Sequence, residues 1–195
     1  HGGEGEPKLT LLPFLVRALV RTLPEFPRMN AQFDADTGLL RRFEAVHIGI
    51  ATQTDNGLMV PVVRHAEALG LRECAREIAR LAAAARSGAA TREELSGSTI
   101  TITSLGALGG VATTPMLNAP EVAIIGPNRI VERPVVQGGS ITIRKMMNIS
   151  SSFDHRIVDG HDAALFVARL KRLLEHPALI FIDEGRVSPA AKGND

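Results

Sequence analysis

The amino-acid sequence predicts an α/β sandwich in which helices pack on a mixed β-sheet. Apolar residues recur at helical spacing in three segments, approximately residues 9–23, 69–86 and 160–175. Between them, runs rich in β-branched residues are bounded by glycine, proline and asparagine, which is typical of strands. The strands and helices are interleaved without a regular β-α-β repeat, so we predict a mixed sheet and not a purely parallel one.

The composition indicates a chain that can bury a core of its own. Its 195 residues are 45% hydrophobic, which suits a single domain. The net charge of +1 and the absence of tryptophan and tyrosine argue against a nucleic-acid partner. Because no segment approaches the roughly 20 apolar residues that span a bilayer, no membrane partner is expected.

The single cysteine, Cys74, excludes a disulfide within the chain and a thiolate metal cluster. Cys74 lies in the second helical pattern, so we predict a packed, unreactive thiol. A reducing compartment fits this cysteine usage best.

The first helix is predicted over residues 9–23, with Thr10 as its N-terminal cap. Pro24 and Pro27 follow directly. They end the helix, because proline restricts the residue before it and cannot continue the hydrogen-bond ladder.

Two strands forming a hairpin are predicted at residues 46–52 and 58–63. Between them lies the turn Asp55-Asn56-Gly57, and Asn-Gly tolerates the positive φ angles of tight hairpin turns. The second helix, at residues 69–86, then ends at Ser87-Gly88. Thr91 to Glu94 has the spacing of a capping box and predicts a short helix.

Residues 98–104 alternate strictly between apolar and hydroxyl side chains, which predicts a strand. The two faces are Ile100 and Ile102 on one side and Thr99, Thr101 and Thr103 on the other. A glycine-containing loop, residues 105–110, follows and can bring backbone or hydroxyl groups close to a ligand.

The remaining sheet is predicted from residues 122–126 and from the longer run 140–153. The last helix, at residues 160–175, has an apolar stripe of leucine, valine and alanine and is stopped by Pro177.

His155 and Asp159, at the junction of the last strand and the last helix, are the candidate catalytic pair. A histidine at such a junction can hold a defined orientation, and its reference pKa of about 6.5 makes it a usable base. From the residues alone, a structural ion pair between them remains open. The other histidines lack metal-ligand spacing, and no nucleophile elbow or dinucleotide fingerprint is present.

The segment from Asp154 to Gly160 resembles the His-x-x-x-Asp-Gly signature of the dihydrolipoyl acyltransferase components of 2-oxo acid dehydrogenase complexes, which are relatives of chloramphenicol acetyltransferase. The resemblance runs in order from about residue 8 to residue 183. Four further segments carry it: residues 13–31, 48–51 with 57–62, 99–110 and 118–126. It implies a chloramphenicol acetyltransferase-like two-layer sandwich and favours a catalytic His155.

The resemblance implies transfer of an acyl group between dihydrolipoamide and coenzyme A. His155 would be the general base that deprotonates the attacking thiol, whose reference pKa is about 8.5. Thr103 would stabilise the oxyanion, with Ser104 as the alternative hydroxyl. Asp159 would orient the backbone and surroundings of the histidine without transferring a proton.

The resemblance also bears on the acyl group. Positions that help relatives to bind a succinyl carboxylate correspond to Gly110, Thr113 and Asn128, which favours an uncharged acyl group. A branched-chain acyl group is preferred. The alternatives are acetyl transfer in a pyruvate dehydrogenase complex, direct acetylation of a small hydroxylated molecule, and a noncatalytic core or tethering subunit.

The resemblance divides the chain into a flexible N-terminal remnant (1–7), a catalytic domain lacking its usual opening segment (8–183) and a polar C-terminal tail (184–195). The lipoyl group would be carried on a separate module, and no metal is expected. The resemblance implies a homotrimer with active sites between subunits, and it leaves open a core of about 24 subunits or more. The implied partners are the 2-oxo acid dehydrogenase (decarboxylase) and dihydrolipoamide dehydrogenase components, bound through the missing modules. The expected location is the bacterial cytoplasm, or the mitochondrial matrix in a eukaryote.

Overall fold

The computed structural model describes residues 9–104, 106 and 109–182 of the chain. The predicted N-terminal remnant (1–7) and C-terminal tail (184–195) therefore lie outside the described residues, as does part of the predicted loop 105–110. The helices are α1 (Leu11–Thr22), α2 (Leu71–Ser87), α3 (Gly160–Glu175) and α4 (Ala178–Phe181). The strands are β1 (Ala31–Asp34), β2 (Leu39–Arg42), β3 (Ile48–Thr54), β4 (Gly57–Met59), β5 (Val62–Val63), β6 (Ile100–Thr103), β7 (Ala123–Pro127), β8 (Val131–Gln137), β9 (Ser140–Met146) and β10 (Ile149–Phe153).

The main sheet has six strands in the order β10-β7-β6-β3-β4, with β5 also paired to β3. The neighbours β3, β6 and β7 are parallel, whereas β10, β4 and β5 are antiparallel to the strands they pair with. Helix α2 packs on β3 and β5, and α3 packs on β10. Helix α1 packs against α2 and α3. The predicted α/β sandwich with a mixed sheet is confirmed.

The core lies between the sheet and the helices. Ile100 and Ile102 of β6 are fully buried there, as the alternation predicts, and Phe166 of α3 is fully buried as well. The Phe166 ring meets the rings of Phe26 and Phe153 edge-on, with centroids 5.6 and 6.0 Å away. Cys74 is also buried, and its burial raises the pKa of the thiol.

The helix boundaries agree with the sequence within two residues at each end. Thr10 occupies the N-cap position of α1, but its side chain makes no capping hydrogen bond. Helix α2 ends at Ser87 and is capped by Gly88, which has the left-handed φ of 72° that is typical of a glycine after a helix.

The short helix predicted at Thr91 is wrong. Thr91 and Glu94 do make the two reciprocal capping hydrogen bonds, at 3.0 and 3.2 Å, but they close a turn. The backbone then passes through Gly97 at a positive φ of 80°, which ends the segment before a helix can extend. Arg80 of α2 holds the Glu94 carboxylate at 2.6 Å.

The strands depart further from the sequence prediction. The predicted strand 58–63 divides into β4 and β5 around Pro61, which has no N–H to donate to a ladder. The run 140–153 is likewise two strands, β9 and β10. The sequence did not predict the hairpin of β1 with β2, nor β8, where charged residues and Pro134 interrupt the strand pattern.

Among the described helices, none combines the length and apolar character needed to cross a membrane.

Candidate active site

Thr103 is the last residue of β6, and its side chain is half-buried. Ala51 of the parallel strand β3 lies opposite it. Because side chains alternate along a strand, Thr103 lies on the face of β6 that also carries Thr101, opposite the core isoleucines. The strand thus presents a hydroxyl at its carboxyl end, directly before residues 105–110, where the sequence predicts a loop.

The hydroxyl face of β6 is more buried than the sequence suggests. Thr99 and Thr101 are 0% and 1% exposed, because other polar side chains cover and pair with them. The Thr99 hydroxyl donates to Asn30 at 2.5 Å, and the Thr101 hydroxyl donates to the carboxylate of Glu121 at 2.9 Å. Of the three threonines on this face, Thr103 is the one that retains partial exposure.

The predicted substrate-binding residues cluster near the same end of the sheet. The backbone N–H of Thr113 and the side-chain amide of Asn128 both donate to the Ser150 hydroxyl, at 3.1 and 2.9 Å. The carbonyl of Gly110 accepts from the N–H of Arg129 at 3.1 Å. Ser104 is half-buried, and its hydroxyl accepts from the N–H of Gly106 at 3.2 Å.

A cavity of about 880 Å³ opens beside Thr103 and Ser104. Its other walls come from α1, from β3 and from the face of α2 turned toward the sheet. The walls are mainly aliphatic, and they include Leu12, Ile50 and Ile78. Such a space suits a slender, largely apolar group with a reactive centre near the two hydroxyls.

His155 lies in a tight turn between β10 and α3, and its side chain is exposed. The carbonyl of Asp154 accepts from the N–H groups of Ile157 and Val158, both at 2.9 Å. The Asp154 carboxylate binds the Arg156 guanidinium through two nitrogens, at 2.9 and 2.6 Å, and Arg156 stacks over the ring of Phe33 at 4.6 Å. The residues on both sides of His155 are therefore fixed, while the imidazole faces outward.

Asp159 is the N-cap of α3. Its carboxylate accepts from the backbone N–H of Asp162 at 2.8 Å, and this hydrogen bond lowers the pKa of the carboxyl. The cap fixes the start of α3 immediately after the turn that carries His155.

The described chain does not bring His155 and Thr103 together. Thr103 follows the pairing of Ile102 with Ile125, whereas His155 lies beyond the pairing of Phe153 with Ala123, at the other end of β7. With a rise of about 3.3 Å per residue and about 4.8 Å between strands, this register separates the two residues by roughly 20 Å. Within one chain, the histidine and the hydroxyl are at opposite ends of the sheet.

Sequence reasoning missed Glu121, a buried acid that accepts a hydrogen bond from the hydroxyl face of β6. The available signal was an acidic residue directly before the continuous apolar run 122–126 and downstream of a strand rich in serine and threonine. An acid at the edge of a buried strand needs hydrogen-bond donors, and the hydroxyl strand supplies them. Among the described residues, no group of three or more His, Cys, Asp or Glu is arranged to hold a metal ion.

Comparison with known proteins relates this geometry to a family. Residues 1–182 match the family described as 2-oxoacid dehydrogenases acyltransferase (catalytic domain). Over 176 residues, the chain is 64% identical to the lipoamide acyltransferase component of the branched-chain alpha-keto acid dehydrogenase complex of Pseudomonas aeruginosa. This match covers 90% of the chain but only 41% of that relative.

Solved structures agree. Dihydrolipoamide acetyltransferase of Azotobacter vinelandii, in which the role of a serine, a histidine and an asparagine in the catalytic mechanism was investigated, superposes with a TM-score of 0.86 at 40% identity. That superposition covers 90% of this chain and 72% of the other. A chloramphenicol acetyltransferase shares the fold at 14% identity, with a TM-score of 0.55 over 85% of this chain and 78% of that one. The chain belongs to the 2-oxoacid dehydrogenase acyltransferase family and matches its catalytic domain.

Proposed function

We propose that this chain transfers an acyl group between dihydrolipoamide and coenzyme A, as the catalytic part of a component of a 2-oxo acid dehydrogenase complex. One observation carries the proposal. His155 follows Thr103 by 52 residues and precedes Asp159 by four, which are also the spacings of the serine, histidine and asparagine investigated in the Azotobacter enzyme. The exposed imidazole, on a turn fixed at both sides, suits a base that must reach a substrate.

In the proposed reaction, His155 takes the proton from the thiol of coenzyme A. The thiolate sulfur attacks the carbonyl carbon of the acyl-dihydrolipoyl thioester, and a tetrahedral oxyanion forms. The oxyanion collapses by breaking the bond from carbon to the dihydrolipoyl sulfur, which receives the proton from the imidazolium. A base is needed because a thiol of pKa about 8.5 is mostly protonated near neutral pH.

Thr103 donates its hydroxyl to the oxyanion in this mechanism. Its position at the end of a buried strand supports the role, because an oxyanion donor must be fixed before charge develops. Asp159 acts on structure alone, by capping α3 beside the histidine turn.

A branched-chain acyl group is the proposed substrate. Identity to the branched-chain relative is 64%, against 40% to the Azotobacter acetyltransferase. The mainly aliphatic walls of the 880 Å³ cavity beside Thr103 also favour an uncharged, apolar acyl group. The lipoyl group would arrive on a separate module, and the decarboxylase and dihydrolipoamide dehydrogenase components would complete the complex.

We further propose that the active chain is a homotrimer, with each site formed by His155 of one subunit and Thr103 of its neighbour. The separation of roughly 20 Å between these residues within one chain supports this arrangement. The hairpin of β8 and β9 supports it too, since the two strands form a separate two-stranded sheet. On one of its faces Val136, Ile141 and Ile143 are 76%, 79% and 71% exposed. An apolar face of this kind is typical of a surface that another protein subunit covers.

The test is an acyl-transfer assay with purified chain, dihydrolipoamide and a panel of acetyl-, isobutyryl-, isovaleryl- and succinyl-coenzyme A. The expected result is fastest transfer with the two branched acyl groups, and loss of most transfer in His155→Ala with an unchanged circular dichroism spectrum. Absence of turnover with every donor would favour a tethering subunit, and full activity in His155→Ala would refute the mechanism.

A further inference from the structure

Glu121 is a buried acid that the proposed reaction does not use. Its side chain is 4% exposed, and burial raises the pKa of the carboxyl. Among the described residues, Oε1 accepts three side-chain hydrogen bonds while Oε2 is buried without a partner. A buried oxygen without a donor is costly, so fold stability alone does not explain a carboxyl at this position.

Two of the three donors come from β6 and from the residues directly before it. The hydroxyls of Ser98 and Thr101 both donate to Oε1 of Glu121, the second at 2.9 Å. Thr101 lies two residues before Thr103 on the same face of β6. The carboxyl thus holds β6 through Thr101 within the strand and through Ser98, two residues before its start.

Glu121 also connects β6 to the opposite half of the site. The third donor is Asn118, at 2.9 Å, from the segment that crosses the hydroxyl face before β7. The next residue along the chain, Val122, accepts the backbone N–H of Asp154 at 2.9 Å, beside His155. Glu121 thus contacts β6 through its side chain, and the next residue contacts the histidine turn through its backbone.

Backbone pairing alone holds the end of β6 weakly on this side. The ladder between β6 and β7 has two residue pairs, ending at Ile102 with Ile125. Thr103 lies one residue beyond this ladder, and it pairs on its other side with Ala51 of β3. A side-chain clamp from the β7 side supplies the missing constraint.

We propose that Glu121 is a positioning residue that fixes β6 and, through it, the hydroxyl of Thr103 at the place where the oxyanion develops. The inference rests on the proposed function, because it assigns Thr103 to the oxyanion. Hydrogen bonds to an oxyanion require donors within a few tenths of an ångström, and a misplacement of about 1 Å can lower a rate by about 10²-fold.

The experiment compares three variants with the wild-type chain. Glu121→Leu removes the acceptor at similar volume, Glu121→Gln keeps an acceptor oxygen, and Thr101→Val removes one donor without touching Thr103. The control is Leu173→Ala, which opens a cavity in the buried face of α3 away from β6 and so lowers stability alone. The readouts are kcat and KM for acyl transfer and the hydrogen–deuterium exchange of the amides of β6, all at a temperature where each protein is folded.

In Glu121→Leu, kcat should fall about 10- to 100-fold with KM changed less than about 2-fold, because a misplaced oxyanion donor acts on the transition state. The amides of β6 should exchange faster. Glu121→Gln should recover kcat to within about 3-fold of wild type. In Thr101→Val, kcat should fall about 3- to 10-fold. The double variant with Glu121→Leu should have nearly the kcat of Glu121→Leu alone, because both substitutions remove the contact between Thr101 and Glu121.

Wild-type kcat in Glu121→Leu, or an equal loss of kcat in Leu173→Ala, would overturn the inference. If Glu121→Leu does not fold, unchanged kcat in Thr101→Val would have the same force. A wild-type chain without any acyl transfer would instead refute the proposed function. Hydrogen–deuterium exchange at β6 would then still test whether Glu121 holds this strand. Faster exchange in Glu121→Leu, with wild-type exchange in Glu121→Gln, would support this role, and unchanged exchange in Glu121→Leu would refute it.

Discussion

A threonine hydroxyl at the end of a buried strand is well suited to oxyanion binding, because the strand limits its movement before charge develops. Thr103→Ala should therefore lower kcat for acyl transfer by about 10²-fold with KM nearly unchanged. Thr103→Ser, which keeps the hydroxyl, is the matched control and should stay close to wild type. Unaltered kcat in Thr103→Ala would move the role to Ser104, the neighbouring hydroxyl of the same cavity.

The buried carboxyl of Glu121 makes a separate prediction about stability. Its pKa is raised by burial, and the hydrogen bonds from Ser98, Thr101 and Asn118 oppose this without cancelling it. The unfolded chain therefore loses this proton at a lower pH than the folded chain, so the free energy of unfolding falls as the pH rises from the ordinary glutamate range through the raised pKa.

Urea unfolding across this pH interval should show a steeper fall for the wild-type chain than for Glu121→Gln, which cannot titrate. The pKa values of Asp34 and Asp154 are lowered, each first by a side-chain hydrogen bond, and their contribution is lost as the pH falls. Both proteins share these groups, so the comparison removes them. Parallel curves would contradict a raised pKa for Glu121.

At the scale of the element, we expect the N-terminus of α3 to affect both the stability of the fold and the rate of acyl transfer. Asp159 caps the first turn of this helix and lies four residues after His155. Asp159→Ala should lower Tm by a few degrees and reduce kcat, because the helix start and the histidine turn loosen together. Asp159→Asn should preserve both in thermal melts and transfer assays, since asparagine caps equally well. A fall of kcat in Asp159→Asn equal to that in Asp159→Ala would assign the carboxylate charge a role beyond capping.

The elements differ in how far the sequence specifies them. The three long helices are predictable because their apolar spacing and their ends, such as Gly88 and Pro177, are local features. Strand β8 is not, because Pro134 and its charged neighbours remove the strand pattern and pairing with β9 overrides it.

The same distinction applies to the site. Thr103 and His155 each sit at an element boundary that a local pattern marks, so the sequence can nominate them. The burial of Glu121 depends on donors from Ser98, Thr101 and Asn118, which the fold alone brings together. Residues that act through others are visible only once the tertiary contacts are known.

At the scale of the whole molecule, the proposed catalytic residues lie in two separate places on one chain. Thr103 lies at the carboxyl end of β6, and His155 lies beyond β10 at the other end of the sheet. A closed ring of identical subunits can pair each hydroxyl with a neighbouring histidine, so that every subunit contributes to two sites. The exposed apolar face of the β8–β9 hairpin supplies surface for such contacts.

This arrangement predicts that two inactive variants restore activity when mixed. Thr103→Ala and His155→Ala chains, unfolded and refolded together in equal amounts, form rings in which some sites pair an intact Thr103 with an intact His155 of the neighbour. Random assembly gives this combination at about a quarter of the sites, so acyl transfer should recover to about a quarter of the wild-type rate. Each variant refolded alone is the control and should stay at or below about a hundredth of the wild-type rate.

The oligomer should be measured in the same samples by analytical ultracentrifugation. Ile143→Asp on the hairpin face should dissociate the ring, leaving a folded chain without transfer activity, because a charge opposes burial of that face. Mixed variants with no recovered activity, or a monodisperse wild-type monomer that transfers acyl groups, would show that one chain assembles its own site. The roughly 20 Å between Thr103 and His155 would then have to close by a movement within the subunit.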